Sequence, residues 1–277
     1  MTIDLHLHTH HSDGTWSPTE LVNHAISIGM KHIAITDHDS VQGIEEAREA
    51  ARDKLEIIPG IEINTIYLHE SGKREDIHVL GYFIDPANTA LLDIIQKQQD
   101  ARDKHVLDSI DAVAKLGIAI DVASVQKHAG KGSIGRAHIT LAIVEAGGAP
   151  DVNEAWEKFM TRKSEHYVPR NSVSPFDAIK AINAAGGIAS IAHPGKESHM
   201  QALILQLKEE ADLAAVEAHH RIHSQELRSE FTDFARKNGL LITGGSDCHG
   251  PFEDWAPVVG TIPVPEEALV ALNKRRV

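Results

Sequence analysis

The chain is poor in the features of secreted, membrane and nucleic-acid-coating proteins. It has one cysteine, Cys248, in 277 residues, so no internal disulfide can form and a reducing cytoplasm is the expected compartment. No apolar run approaches the roughly 18 residues of a transmembrane helix, so no membrane partner is expected. The opening Met1–His6 has neither a basic n-region nor an apolar h-region, which predicts no secretory signal. Basic residues are outnumbered, 27 Lys and Arg against 40 Asp and Glu, for a net charge of −13 with histidine neutral. That balance works against a broad phosphate-gripping face, so duplex nucleic acid is not an expected partner. The sequence has no P-loop and no Gly-x-Ser-x-Gly elbow, which disfavours P-loop NTP hydrolysis and serine-hydrolase chemistry. Aromatic residues make up only 4%, yet there are 19 histidines, the commonest metal ligand and a frequent acid–base group.

What remains is an ordinary globular composition, 42% hydrophobic and 24% charged, long enough for one large domain or a domain with an insertion. Short apolar runs alternate with amphipathic stretches. The spacing predicts strands over residues 3–8, 32–36, 57–63 and 78–83, with helices over 18–28 and 41–54. Ser17-Pro18-Thr19-Glu20 is a capping-box signature for the first of these helices. The rhythm returns late, with strands near 187–192, 214–217 and 240–244 and helices over 175–185, 200–211 and 225–238. Such alternation argues for parallel βα units, in an α/β barrel or a doubly wound sheet. Residues 88–165 break the pattern and read as a helical insertion, with helices over 91–116, 121–129, 136–146 and 151–160.

The chemistry-bearing residues cluster where βα loops begin. His6 and His8 are two apart on a predicted strand, so both imidazoles share a face. Asp13 follows in Ser12-Asp13-Gly14. Thr36-Asp37-His38 follows the next strand, and Glu62 lies in the apolar run Ile61-Glu62-Ile63, where an unpaired carboxylate would be costly. His78 opens a predicted strand, His193-Pro194 ends one, and Ser246-Asp247-Cys248-His249 follows another. In an α/β barrel these loops share the face that carries active sites.

This ordered set resembles the motifs of the PHP (polymerase and histidinol phosphatase) superfamily, over nearly the whole chain. The resemblance implies a distorted (β/α)7 barrel with a trinuclear metal centre. Residues 1–87 and 166–277 would form the barrel, and 88–165 an insertion covering the active site. By the same resemblance His6, His8, Glu62 and Asp247 hold one ion. Glu62 bridges to a second, which takes His78 and His193, and Asp13, His38 and His249 hold the third. Oxygen and imidazole ligands without a thiolate suit divalent manganese, iron or zinc, with manganese expected first. Asp4 and Asp37 are candidates for orienting ligands, and Cys248 reads as a packed small residue.

Gly135-Arg136-Ala137-His138 is similar to the Gly-Arg-Pro-His segment of PHP phosphoesterases with a helical insert, Ala137 standing where Pro is usual. Arg136 would then grip a phosphate through its planar donor fork. Lys131, Arg170 and Lys196 are further candidates for that role. Glu217-Ala218-His219-His220 also resembles a family segment, and makes His220 or His223 a candidate proton donor. The arrangement implies a phosphoesterase that removes the 3′-phosphate of a nucleoside 3′,5′-bisphosphate, with 5′-to-3′ action on short RNA ends. A hydroxide bridging the ions at Glu62 would be the nucleophile. The alternatives are another small phosphate ester, such as histidinol phosphate, and a non-catalytic metal-dependent binding module.

Overall fold

The computed structural model describes residues 2–129, 134–161, 163–195, 197, 199–251 and 257–276. Seven strands lie side by side in chain order: β1 (Ile3–Asp4), β2 (His32–Ile35), β3 (Glu56–Leu68), β4 (Arg74–Tyr82), β5 (Ile188–Ile191), β6 (Ala215–His220) and β7 (Leu241–Gly245). Neighbouring strands are parallel except at β4, which runs antiparallel to both β3 and β5. The first and last strands come together where Leu5 N donates to the Gly244 carbonyl at 3.2 Å and Leu7 bridges Cys248. The result is a nearly closed, distorted α/β barrel of seven strands.

Helices α1 (Pro18–Ser27) and α2 (Gly43–Ala51) precede β3. The expected capping box forms on α1: Glu20 N donates to Ser17 Oγ at 3.2 Å and Ser17 N donates to Glu20 Oε2 at 2.8 Å. After β4 come α3 (Thr89–Ala114), α4 (Val122–Ala129), α5 (Arg136–Glu145) and α6 (Val152–Ala155), the last continued by a π turn over Trp156–Met160. Then α7 (Pro175–Ala184), α8 (Met200–Ala211) and α9 (Gln225–Lys237) alternate with the last strands, and α10 (Glu266–Arg275) ends the chain.

Both faces of the barrel wall are buried, which is why its strands read as apolar runs. On β2, Ile33 and Ile35 pack in the core shared with the surrounding helices, and Ala34 packs in a second core. That second core gathers Leu5, Ile58, Leu80 and Tyr82, with Leu269 and Leu272 of α10 against them. The sequence pattern had not marked α10.

Three strands differ from the periodicity. β3 and β4 are longer than expected and form one hairpin that pairs Gly60 with Tyr82 through Leu68 with Arg74. His78 therefore lies inside β4, opposite Asn64, rather than at a strand start. The regular part of β1 ends at Asp4, so His6 and His8 sit on extended backbone just beyond it.

The chain divides into two compact units, Met1–Ile95 with Val173–Val277, and Gln96–Ser172. The division falls inside α3 because Leu91, Ile94 and Ile95 belong to the barrel core. The second unit has its own core, including Val113, Val125, Ile139, Ile143 and Phe159. Among the described residues no helix is long and apolar enough to cross a membrane.

Candidate metal centre

Glu62 is the hub of the site. It is fully buried, and five imidazoles face its two oxygens. His6 Nε2, His8 Nε2 and His38 Nδ1 lie 3.0, 3.2 and 3.1 Å from Oε2. His78 Nδ1 and His193 Nε2 lie 3.0 and 3.1 Å from Oε1. The antiparallel β4 makes this convergence possible, because its first half runs beside the far end of β3. Asp247, just past β7, closes one side: its Oδ1 is 3.5 Å from His6 Nε2 and 3.2 Å from His8 Nε2. The remaining candidates gather around Asp13, whose carboxylate lies 3.3 Å from His249 Nε2 and 3.9 Å from His38 Nε2 and from His8 Nδ1. His38 thus presents one nitrogen to Glu62 and the other to Asp13.

All nine sequence-predicted metal ligands are therefore brought together. Close backbone approach permits it: a Cβ on Gly14 would stand 2.6 Å from the His8 carbonyl oxygen, and one on Gly245 would collide with His6. His193 and Asp247 take positive φ values of 25° and 52°, a strained conformation often found at functional sites.

The electrostatics are those of anions enclosed by potential cations. Burial alone would raise the Glu62 carboxyl, but His38, His6 and His78 hold it well below the usual carboxylate range. Asp247 is likewise raised by burial and lowered further by His6, His220 and His8, with a net fall. Burial pushes His38 down to about 4, against the pull of Glu62 and Asp13.

The donor set fits divalent cations. Around a tetrahedral ion with ligands at about 2.0–2.1 Å, neighbouring ligand atoms lie roughly 3.3 Å apart. The closest pairs among His6, His8, Glu62 and Asp247 span 3.0–3.5 Å. Among the described residues, His8 Nε2 and His38 Nδ1 are buried without a hydrogen-bond partner. A buried polar atom left so is costly in a protein alone, and an ion accepts its lone pair. Two tetrads meet the geometric requirement for one ion each: His6, His8, Glu62, Asp247 and His8, Asp13, His38, His249.

The sequence profile of the PHP domain matches residues 4–224. The chain belongs to the PHP domain family. It is 31% identical over 268 residues to the 3′,5′-nucleoside bisphosphate phosphatase of Chromobacterium violaceum, a match covering 95% of this chain and 92% of that one. It is 30% identical over 255 residues to the 5′-3′ exoribonuclease Rnm of Escherichia coli, covering 90% of this chain and 85% of that one. A solved structure of a C. violaceum protein described as an amidohydrolase, with bound sulfate and no metal, superposes with a TM-score of 0.82 at 29% identity, covering 99% of this chain and 97% of that one.

In this PHP chain a second carboxylate is set against two of the candidate ligands. Glu217 is fully buried on β6, next to a bulge in its pairing with β7. Its Oε1 lies 3.0 Å from His6 Nδ1, and its Oε2 accepts from His193 N at 2.7 Å. A proton held on Nδ1 leaves the Nε2 lone pair of His6 facing the cage. The sequence reading had not given Glu217 this part. The signal was available, because Glu217 sits in the apolar run Ala214–Ala218 just as Glu62 sits between isoleucines. Glu217→Gln keeps the shape and removes the charge. It is expected to weaken metal binding about 10- to 100-fold, measured by competition with a chelator; unchanged affinity would contradict the orienting part.

Asp4 and Asp37 hold backbone amides and hydroxyls rather than imidazoles. Asp4 accepts from Ser246 N at 2.9 Å and Gly260 N at 2.8 Å, and Asp37 from Thr9 N at 2.6 Å and Ser12 Oγ at 2.8 Å. His223 is spent on two carbonyls, Ala218 O at 3.0 Å and Pro194 O at 2.9 Å, which removes it as a proton donor. His220 is buried beside the cage, with Nε2 3.4 Å from Asp247 Oδ2. Arg221, also missed, places its guanidinium 3.3 Å from the same oxygen and stays exposed. Cys248 packs in the core, its Sγ accepting from Gly250 N at 3.3 Å, and burial pushes its thiol up.

In the second unit, Arg136 donates to the Met160 carbonyl at 3.3 Å and lies over the Trp156 ring, 5.2 Å from its centroid. Arg170 donates to the Gln98 carbonyl at 3.1 Å. His105 senses both cations: burial first, then Arg170 and Arg136, push it down to about 4. Lys131 and Lys196 lie outside the described residues.

Proposed function

We propose that this chain hydrolyses the 3′-phosphate of nucleoside 3′,5′-bisphosphates, in the cytoplasm, and also acts on short 5′ RNA ends. The class is a metal-dependent phosphoesterase of the PHP family, a hydrolase of phosphoric ester bonds. The observation that carries this reading is the cage around Glu62, present on a chain whose relatives in the family are named for nucleotide and RNA phosphoester cleavage.

Three divalent ions, manganese first, would be held by His6, His8, Glu62 and Asp247; by Glu62, His78 and His193; and by Asp13, His38 and His249. Bound ions of this kind acidify water for attack on phosphorus and offset charge on the phosphoryl oxygens. Glu62 holds both oxygens of its carboxylate toward opposite sets of imidazoles, so it can tie two ions together. Glu217 fixes His6, and Asp37 fixes the loop that carries His8 and Asp13.

Arg136 and Arg170 are proposed to hold the phosphate that is not cleaved, and Lys196 to assist. Arg136→Ala removes a charge-assisted contact worth about 1.5–3 kcal/mol. It is expected to raise KM for adenosine 3′,5′-bisphosphate about 10- to 100-fold while sparing a monophosphate; an equal loss on both would contradict the assignment.

His220 is proposed as the donor of a proton to the leaving oxygen, because its Nδ1 accepts from Ile222 N at 3.3 Å, which leaves the proton on Nε2, and among the described residues that buried Nε2 has no hydrogen-bond partner. His220→Ala is expected to slow nucleotide hydrolysis about 10²- to 10⁴-fold, and p-nitrophenyl phosphate, with its good leaving group, far less. The direct test is phosphate release from adenosine 3′,5′-bisphosphate by the manganese-loaded protein. Turnover of other esters, histidinol phosphate among them, with none of the bisphosphate would overturn the substrate and keep the class.

A further inference from the structure

A second group of metal-ligating side chains lies outside the cage and shares no residue with it. His10 and His11 sit in the turn between His8 and Asp13, and Glu46 lies on α2. One ligand atom from each falls within 4.8 Å of the other two, and the two rings are 4.7 Å apart at 58°. We propose that His10, His11 and Glu46 form an additional site for a borderline divalent transition ion, zinc-like in its donor preference.

The backbone is arranged to bring these three together. His10 N donates to the Trp16 carbonyl at 2.8 Å, and His11 N donates to Thr9 Oγ1 at 3.2 Å, so both ends of the turn are held. Thr9 is in turn fixed by Asp37. Gly43, at the start of α2, has no side chain to keep the turn away: a Cβ there would stand 3.3 Å from His11 Cδ2. Gly43 and Glu46 are three residues apart and share a helix face, so the His11 ring packs on the face that carries the carboxylate.

Glu46 is prepared as an anionic ligand. Its Oε1 accepts from Thr19 N at 3.1 Å and Thr19 Oγ1 at 2.7 Å, which fixes the side chain and leaves Oε2 available. Two imidazoles and a carboxylate, with positions left for water, match the ligand number and type of an open zinc site. Without an ion, neither imidazole takes part in a side-chain hydrogen bond among the described residues. An ion at this point would staple the 10–13 turn to α2. If the Glu62 cage binds metal as proposed above, the staple also braces Asp13, but the site itself stands apart from that reading.

The test uses the full-length protein saturated with zinc, freed of excess, and analysed for metal per chain beside Glu46→Gln and His11→Asn. Glu46→Gln retains the oxygen that accepts from Thr19, so the fold is preserved, and circular dichroism checks it. The wild type is expected to hold one equivalent more than either variant, and zinc anomalous diffraction is expected to show a peak joined to His10, His11 and Glu46. Equal stoichiometry in all three proteins, or no peak between these side chains at saturation, overturns the proposal. Failure of the cage reading looks different: the peak at Glu46 persists while none appears at Glu62.

Discussion

Glu62→Gln is expected to lower kcat/KM for phosphoester hydrolysis by at least about 10³-fold at saturating manganese. The substitution keeps the size of the side chain and removes one charge. That charge lies between five imidazoles, at 3.0–3.2 Å from each. Loss of an anion that would hold metal ions withdraws several kcal/mol of metal-centred charge stabilisation, and about 4 kcal/mol corresponds to roughly three powers of ten in rate. The control is Glu56→Gln. Glu56 is an exposed partner of His32 at 2.8 Å, and its loss should leave turnover unchanged. A Glu62→Gln protein that is folded by circular dichroism and works within tenfold of wild type would remove Glu62 from the centre of the chemistry.

Removing metal should cost stability on a comparable scale. A ligand at 100 times its Kd stabilises the native state by about 2.7 kcal/mol for one site. For a chain of this size each kcal/mol moves Tm by roughly 2–4 °C. Chelator-treated protein is therefore expected to unfold about 5–10 °C below manganese-loaded protein, and the shift should grow with each added ion. The cause is local: among the described residues, buried nitrogens such as His8 Nε2 and His38 Nδ1 have no hydrogen-bond partner without an ion. Differential scanning calorimetry with and without manganese reads this directly, and superimposable transitions would mean that the native state does not bind the ion.

Much of the fold and of the cage was legible in the sequence because both rest on short-range signals. The capping box of α1, the two-residue spacing of His6 and His8, and a carboxylate between isoleucines each follow from local chemistry. Seven strands, by contrast, came from the family resemblance, since periodicity cannot separate a barrel from an open sheet. The β3–β4 hairpin was hidden for a related reason. Its outer end pairs the exposed Leu68 of β3 with the charged Arg74-Glu75-Asp76 start of β4, so the apolar runs marked only the inner half. Glu217 shows a different gap. Its apolar neighbours were visible, but its partner His6 lies 211 residues away, and only folding brings them together. The positions of Arg136 and Arg170 beside His105 are likewise a product of packing within the insert, not of spacing along the chain.

Anomalous diffraction from manganese-soaked crystals, collected near the manganese edge, tests the metal centre most directly. The expected map shows peaks on both sides of the Glu62 carboxylate, one within ligand distance of His6, His8 and Asp247 and another near His78 and His193. A map at saturating manganese with no peak within about 3 Å of Glu62, where a bound ion would sit at roughly 2.0–2.2 Å, would contradict the metal cage and the phosphoesterase chemistry built on it.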